Sequence, residues 1–135
     1  MRYSLDANTI IFFLQGDKSV CDNLIKHEFG NQILIPPMVY YEVLRGLMAR
    51  NAVKKVAIVR EMYENAYALL QIPENRVFEK AAEIFVELKN KGFTVGSNDI
   101  IIAAWTMLAD STLITDNVKD FENISSLSLS NWKER

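Results

Sequence analysis

Short apolar runs, too brief for helices, alternate along this chain with longer stretches whose apolar residues recur at helical spacing. The runs are RYSL at 2–5, QILI at 32–35 and STLIT at 111–115. Strands that alternate with helices cannot pair by hairpins; each must return by a crossover, which gives an α/β layer fold with a mainly parallel sheet. At 135 residues, half of them hydrophobic, the chain fits a single domain, residues 1–135, with enough apolar surface for a core. No repeat, low-complexity tract or linker-like stretch divides it.

The pattern can be followed element by element. The first run ends at Asp6, and Asn8 to Leu14 read as a helix stopped by Gly16. A helix over Ser19 to Phe29 precedes a strand over Gln32 to Ile35, which Pro36 and Pro37 close; proline suits a helix's first position, so the next helix begins there. Along it Tyr40, Val43, Leu44, Leu47 and Met48 form one apolar stripe, with Glu42 opposite. A longer helix carries Val56, Val59, Tyr63, Ala66, Tyr67 and Leu70, and residues 71–73 are a short strand or bend. Val77, Phe78, Ala81, Phe85 and Leu88 mark another amphipathic helix, ended by Lys89, Lys91 and the C-cap glycine Gly92. Ser97 is positioned to cap a helix that is apolar nearly all round and therefore internal. After the strand at 111–115 come a turn, a strand over Ser126 to Leu129 and the tail NWKER.

Several functional classes drop out. The longest apolar stretch, Ile100 to Ala109, is short of the roughly 18 residues that a bilayer requires, and the start MRYSLDANTI has no signal-peptide layout, so a soluble cytoplasmic protein is expected. The single cysteine, Cys21, reads as a small buried apolar group. His27 is the only histidine, which removes zinc sites and a catalytic histidine pair. No GxGxxG or GxxxxGK[ST] loop is present to cradle phosphates. A net charge of −2 does not favour bulk attraction to nucleic acid, so such a partner would need a local basic patch or metal ions.

Four carboxylates remain. Each has an ordinary use alone: Asp6 and Asp99 as helix-start acids worth ~0.3–1 kcal/mol, Glu42 as a solvated side chain, Asp116 as a turn former. Taken together they differ, because Asp6 and Asp116 both follow apolar strands and Asp99 opens a buried helix, while ligands in such sheets bind beyond the strands' carboxyl ends. Two negative charges about 4 Å apart repel by about 4 kcal/mol at an effective dielectric of 20. A fold with a net stability of ~5–15 kcal/mol keeps such a cluster only with a cation to offset it. Mg²⁺ or Mn²⁺ suits an all-oxygen donor set.

LDAN with Asp6, PPMVYYEVLRG with Glu42 and Gly46, GSNDIIIAA with Asp99, LITDNVKDF with Asp116, and the following SLSLSNW together resemble the PIN-domain ribonuclease toxins of the VapC family, over essentially the whole chain. The resemblance implies a PIN-like three-layer fold, a mainly parallel central sheet flanked by helices. It implies a metal-dependent endoribonuclease, the toxin of a toxin–antitoxin pair, usually a homodimer restrained by a small antitoxin protein and acting on structured RNA such as a tRNA anticodon loop. Products would carry a 5′-phosphate and a 3′-hydroxyl. Asp6, Glu42, Asp99 and Asp116 match the family's acidic metal and catalytic site, with Thr115 as the polar residue before the last acid and Asn8, Asn117 and Asp120 in support; the fourth acid is either Asp116 or Asp120. Asp6, Asp99 and Asp116 would hold one or two Mg²⁺ or Mn²⁺ ions, and Glu42 would bind a second ion or orient the attacking water. Ala7 stands where the family often has a hydroxyl residue. Arg45, Lys91 and Lys119 are candidate RNA contacts. The competing readings are a PIN domain that binds RNA or a partner without cutting and, more remotely, a phosphoacceptor or phosphatase-like domain, which wants a second acid near Asp6 and a lysine after a late strand, where Asn8 and the stretch STLITDN supply neither.

Overall fold

The computed structural model describes residues 1–135 as four strands and seven helices. In chain order these are β1 (Arg2–Leu5), α1 (Ala7–Leu14), α2 (Lys18–Glu28), β2 (Gln32–Leu34), α3 (Pro37–Ala49), α4 (Val53–Leu69), α5 (Glu74–Asn90), α6 (Ser97–Leu108), β3 (Thr112–Ile114), α7 (Val118–Phe121) and β4 (Leu129–Ser130). The sheet order is β2-β1-β3-β4 and every pairing is parallel, with Tyr3 opposite both Ile33 and Thr112 and Ile114 opposite Ser130. From β1 the chain crosses by α1 and α2 to β2 on one side, then by α3 to α6 to β3 on the other. Right-handed crossovers in opposite directions put their helices on opposite faces, which makes three layers. The strand order reverses between β1 and β3, and that reversal opens a crevice at their carboxyl ends.

The core is a single cluster in which Leu5, Leu34, Leu113 and Ile114 of the sheet meet Ile10, Val39, Val43, Leu47, Val59, Ile102 and Trp105 of the helices. α6 is the most enclosed helix, with Ile100, Ile102, Ala103, Ala104, Trp105 and Thr106 all buried where it packs on α5, α3 and β3. Its charge therefore sits only at its first turn. α5 ends as its sequence dictates: Gly92 adopts φ +81°, and the Phe93 and Gly92 amides donate to the Leu88 and Lys89 carbonyls, satisfying the last turn.

Some elements depart from expectation. Residues 71–73 form no strand, and a single turn of helix, α7, follows Asn117. The last strand lies at Leu129–Ser130 rather than 126–129, since only those residues reach β3. Ser97 makes no capping bond: Gly96 is the N-cap and Ser97 the first helical residue. On α5 the buried stripe is Val77, Ala81, Ile84 and Leu88, while Phe78 and Phe85 are half exposed; both spacings are helical, and only the position of α6 selects one. Met48 on α3 is likewise exposed, and Val39 takes its place in the stripe. Cys21 is half-buried, with its thiol near the Phe13 carbonyl.

Candidate active site

Asp6 is 4 % exposed and the only charged residue in the buried set. Its place follows from β1: the Asp6 amide donates to the Ile114 carbonyl at 2.9 Å, so the end of β1 is tied to the end of β3. Its carboxylate caps α1, accepting from the Ala7 amide at 2.8 Å and from the Thr115 hydroxyl at 2.7 Å. Asn8 completes the brace. Its Nδ2 donates to both Asp6 and Thr115 at 3.3 Å, and its Oδ1 accepts the Asp116 amide at 2.9 Å. The Asn117 amide donates to the Thr115 hydroxyl at 3.0 Å, and Thr9 bonds the Ile114 carbonyl at 2.9 Å. Hydrogen bonds from Thr115 to Asp6, from Asn8 to Thr115, from the Asp116 amide to Asn8 and from Thr9 to the Ile114 carbonyl thus tie the ends of β1 and β3 together.

Around this brace the carboxylates feel one another. Burial pushes the Asp99 carboxyl up to about 6, helped by Asp6, Asp120 and Glu42 in that order. Glu42 is raised by burial and then by Asp6, and the Asn98 amide and Arg45 guanidinium beside it pull it back in part. Burial also raises Asp6, against the hydrogen bonds from Thr115, Ala7 and Asn8, and Asp120 adds to the rise. Three elements supply the acids: Glu42 comes from α3, Asp99 from the first turn of α6 and Asp120 from α7. Negative charge has collected here without a full counter-charge.

Asp116 stands apart from that group. Its carboxylate accepts from the Asn131 amide at 3.0 Å and pairs with Arg135. Asp120, the sequence's other candidate for the fourth acid, is exposed on α7, and its charge acts on Asp6 and Asp99. Asn98 and the tail residues Asn131 and Arg135 were not identified from the sequence. Asn98 had one available signal, its position beside Asp99, but nothing local announces that the tail folds back to Asp116. Of the candidate RNA contacts, Lys91 is paired with Glu87 at 2.8 Å and bonded to Ser125, Lys119 is exposed on α7, and Arg45 lies 5.1 Å from the Tyr41 ring centroid.

The donor set suits a hard divalent ion in chemistry and in charge. No three acidic, histidine or cysteine side chains of the chain stand within joint reach of one ion. An ion held here would take one or two carboxylates and fill its shell with water, which is how Mg²⁺ is commonly bound.

The residues from 3 to 127 match the PIN domain family model, and the chain therefore belongs to the PIN-domain family. Several similar proteins carry the name VapC. Ribonuclease VapC2 of Rickettsia felis is 27% identical over 133 residues, 98% of each chain, and Ribonuclease VapC1 of Haemophilus influenzae strain R2866 is 25% identical over 134 residues, again 98% of each. Among solved structures, VapBC2 from Rickettsia felis bound to a DNA fragment from its promoter superposes with a TM-score of 0.82 at 26% identity, covering 98% of this chain and 100% of that one.

Proposed function

We propose that this protein is a divalent-metal-dependent endoribonuclease, the toxin of a toxin–antitoxin pair, with structured RNA such as tRNA as its substrate. One observation carries the reading: Asp6, Glu42, Asp99 and Asp120 repel one another at the switch point between β1 and β3, where an α/β sheet binds its ligand. A bound Mg²⁺ or Mn²⁺ would supply Lewis acidity toward the phosphodiester and ease loss of a proton from water. Asp6 and Asp99 are the residues to hold it, with water filling the rest of its shell and Asp120 adding negative charge nearby. Asp6 has the least freedom, since Thr115, Ala7 and Asn8 fix both of its oxygens. Glu42, raised above the ordinary carboxyl range by burial and Asp6, is suited to take a proton from the attacking water and pass it on. Arg45, beside Glu42, is placed to meet a phosphate. Asp116 supports the tail instead of the ion.

The VapC names of the relatives and the VapBC2 assembly support the ribonuclease and antitoxin parts of this reading. Exposed Tyr67, Phe78, Phe85 and Phe93 offer apolar surface for a homodimer or an antitoxin. The test is to incubate the protein with total RNA in Mg²⁺, in EDTA, and as the Asp6→Asn variant. Cleavage is expected only in the first arm, and cleavage that persists in EDTA or in the variant rules the metal mechanism out.

A further inference from the structure

From Val43 to Arg60 the chain carries five cationic residues, Arg45, Arg50, Lys54, Lys55 and Arg60, and no Asp or Glu, although the whole protein has a net charge of −2. None of the five pairs with a carboxylate, whereas Lys18, Lys80, Lys91, Lys133 and Arg135 all do. Positive charge has been concentrated on one stretch with no ion pair to offset it there. Three of the cations share a site: Arg50, Lys54 and Lys55 line an open depression of about 520 Å³ at the α3–α4 turn, with Asn51, Ala52 and Val53 as its other walls.

This depression lies past the C-terminal end of the helix that carries Glu42. Arg50 is the C-cap of that helix, eight residues on from Glu42, or about 12 Å along its axis. Between them Arg45 projects over the half-exposed Tyr41 ring. Gly46, also exposed, leaves open space: a Cβ built there would meet nothing within 4 Å, so no packing within the chain accounts for a glycine in mid-helix. Beside Glu42 lie an aromatic face and a guanidinium, and beyond them a gap in the helix surface and three further cations.

We propose that this strip, Tyr41 and Arg45 leading to Arg50, Lys54 and Lys55, is the surface on which an RNA strand lies as it leaves the carboxylate pocket. Phosphates are held by the cations, and an unpaired base is offered the Tyr41 ring for stacking. The proposal rests on the endoribonuclease reading and explains how an acidic protein holds a polyanion. A single strand or loop fits better than a long duplex, because the one aromatic face can be used only by an unstacked base.

The test uses the Arg50→Glu, Lys54→Glu, Lys55→Glu triple variant, whose altered side chains lie outside the core, and separately Tyr41→Ala. Binding of a fluorescein-labelled RNA hairpin is measured across a salt series in the Asp6→Asn background, where cleavage is blocked. The triple variant should bind about tenfold more weakly or worse, and its slope of log affinity against log salt should flatten by about 2, the loss of three phosphate contacts to a single strand. With Asp6 restored, KM for the hairpin rises while kcat is kept. Tyr41→Ala should weaken binding at every salt concentration without changing the slope. Unchanged affinity and slope in the triple variant, with the parent protein still cutting RNA, overturn the strip and leave the nuclease reading standing. A parent protein that neither binds nor cuts RNA overturns both. Loss of binding to an acidic peptide, with RNA binding intact, assigns the strip to a protein partner instead and also overturns the proposal.

Discussion

Replacing Asp99 by Asn separates an acid kept for a metal from an acid kept for its helix. A carboxyl that ionises at about 6 rather than at its ordinary 3.8 loses about 3 kcal/mol of folding free energy at neutral pH. Asp99 is only partly buried, and solvent screening reduces this to ~1.5 kcal/mol. Against it stands the favourable placement of a negative charge in the first turn of α6, ~0.3–1 kcal/mol. The balance is a gain of ~0.5–1 kcal/mol for Asp99→Asn in EDTA at pH 7.5, a rise in Tm of ~2–5 °C for a domain of this size. The sign with pH is fixed. Because the folded-state value is raised, the penalty is absent below the unfolded value near 3.8, grows as pH rises, and is complete above about 6, so the variant's advantage should vanish near pH 4. Thermal melts followed by circular dichroism at both pH values measure it. Adding Mg²⁺ should raise the Tm of the parent protein and do much less for the variant. A variant that melts several degrees lower in EDTA at pH 7.5 refutes the reasoning and makes Asp99 a helix-start acid.

The brace around Asp6 yields a second expectation: Thr115→Val removes the hydroxyl that donates to Asp6 and accepts from Asn117, and should cost ~1–3 kcal/mol by urea denaturation while raising the Asp6 carboxyl further. Asp120→Asn should abolish most RNA cleavage and Mg²⁺-dependent stabilisation, whereas Asp116→Asn, which frees Arg135, should leave most of both; equal losses in the two variants would return Asp116 to the site. Gly46→Ala should stabilise the free protein by ~0.5–1 kcal/mol in thermal melts, since the new methyl meets open space in a regular helix. If the adjoining strip receives RNA, the same substitution raises KM.

The alternation of RYSL, QILI and STLIT with amphipathic stretches was enough to specify a parallel α/β sheet, because the side-chain periods of strand and helix are written locally and crossovers follow from them. The placement of Asp6 at the end of β1 and of Asp99 in the first turn of a buried helix was legible for the same reason. Which of two helical stripes faces inward on α5 was not, since Phe78 and Phe85 are as apolar as Ile84 and only the neighbouring α6 discriminates between them. Nor was the fate of Asp116. Two acids four residues apart, Asp116 and Asp120, offer the same chemistry, yet Asn131 and Arg135 return from the far end of the chain to bind the first, while the second bears on Asp6 and Asp99. A sequence determines the charges a chain carries and the elements that hold them; which charges are left facing each other is decided by long-range packing, because electrostatic neighbourhood depends on distance in space and no local pattern encodes it.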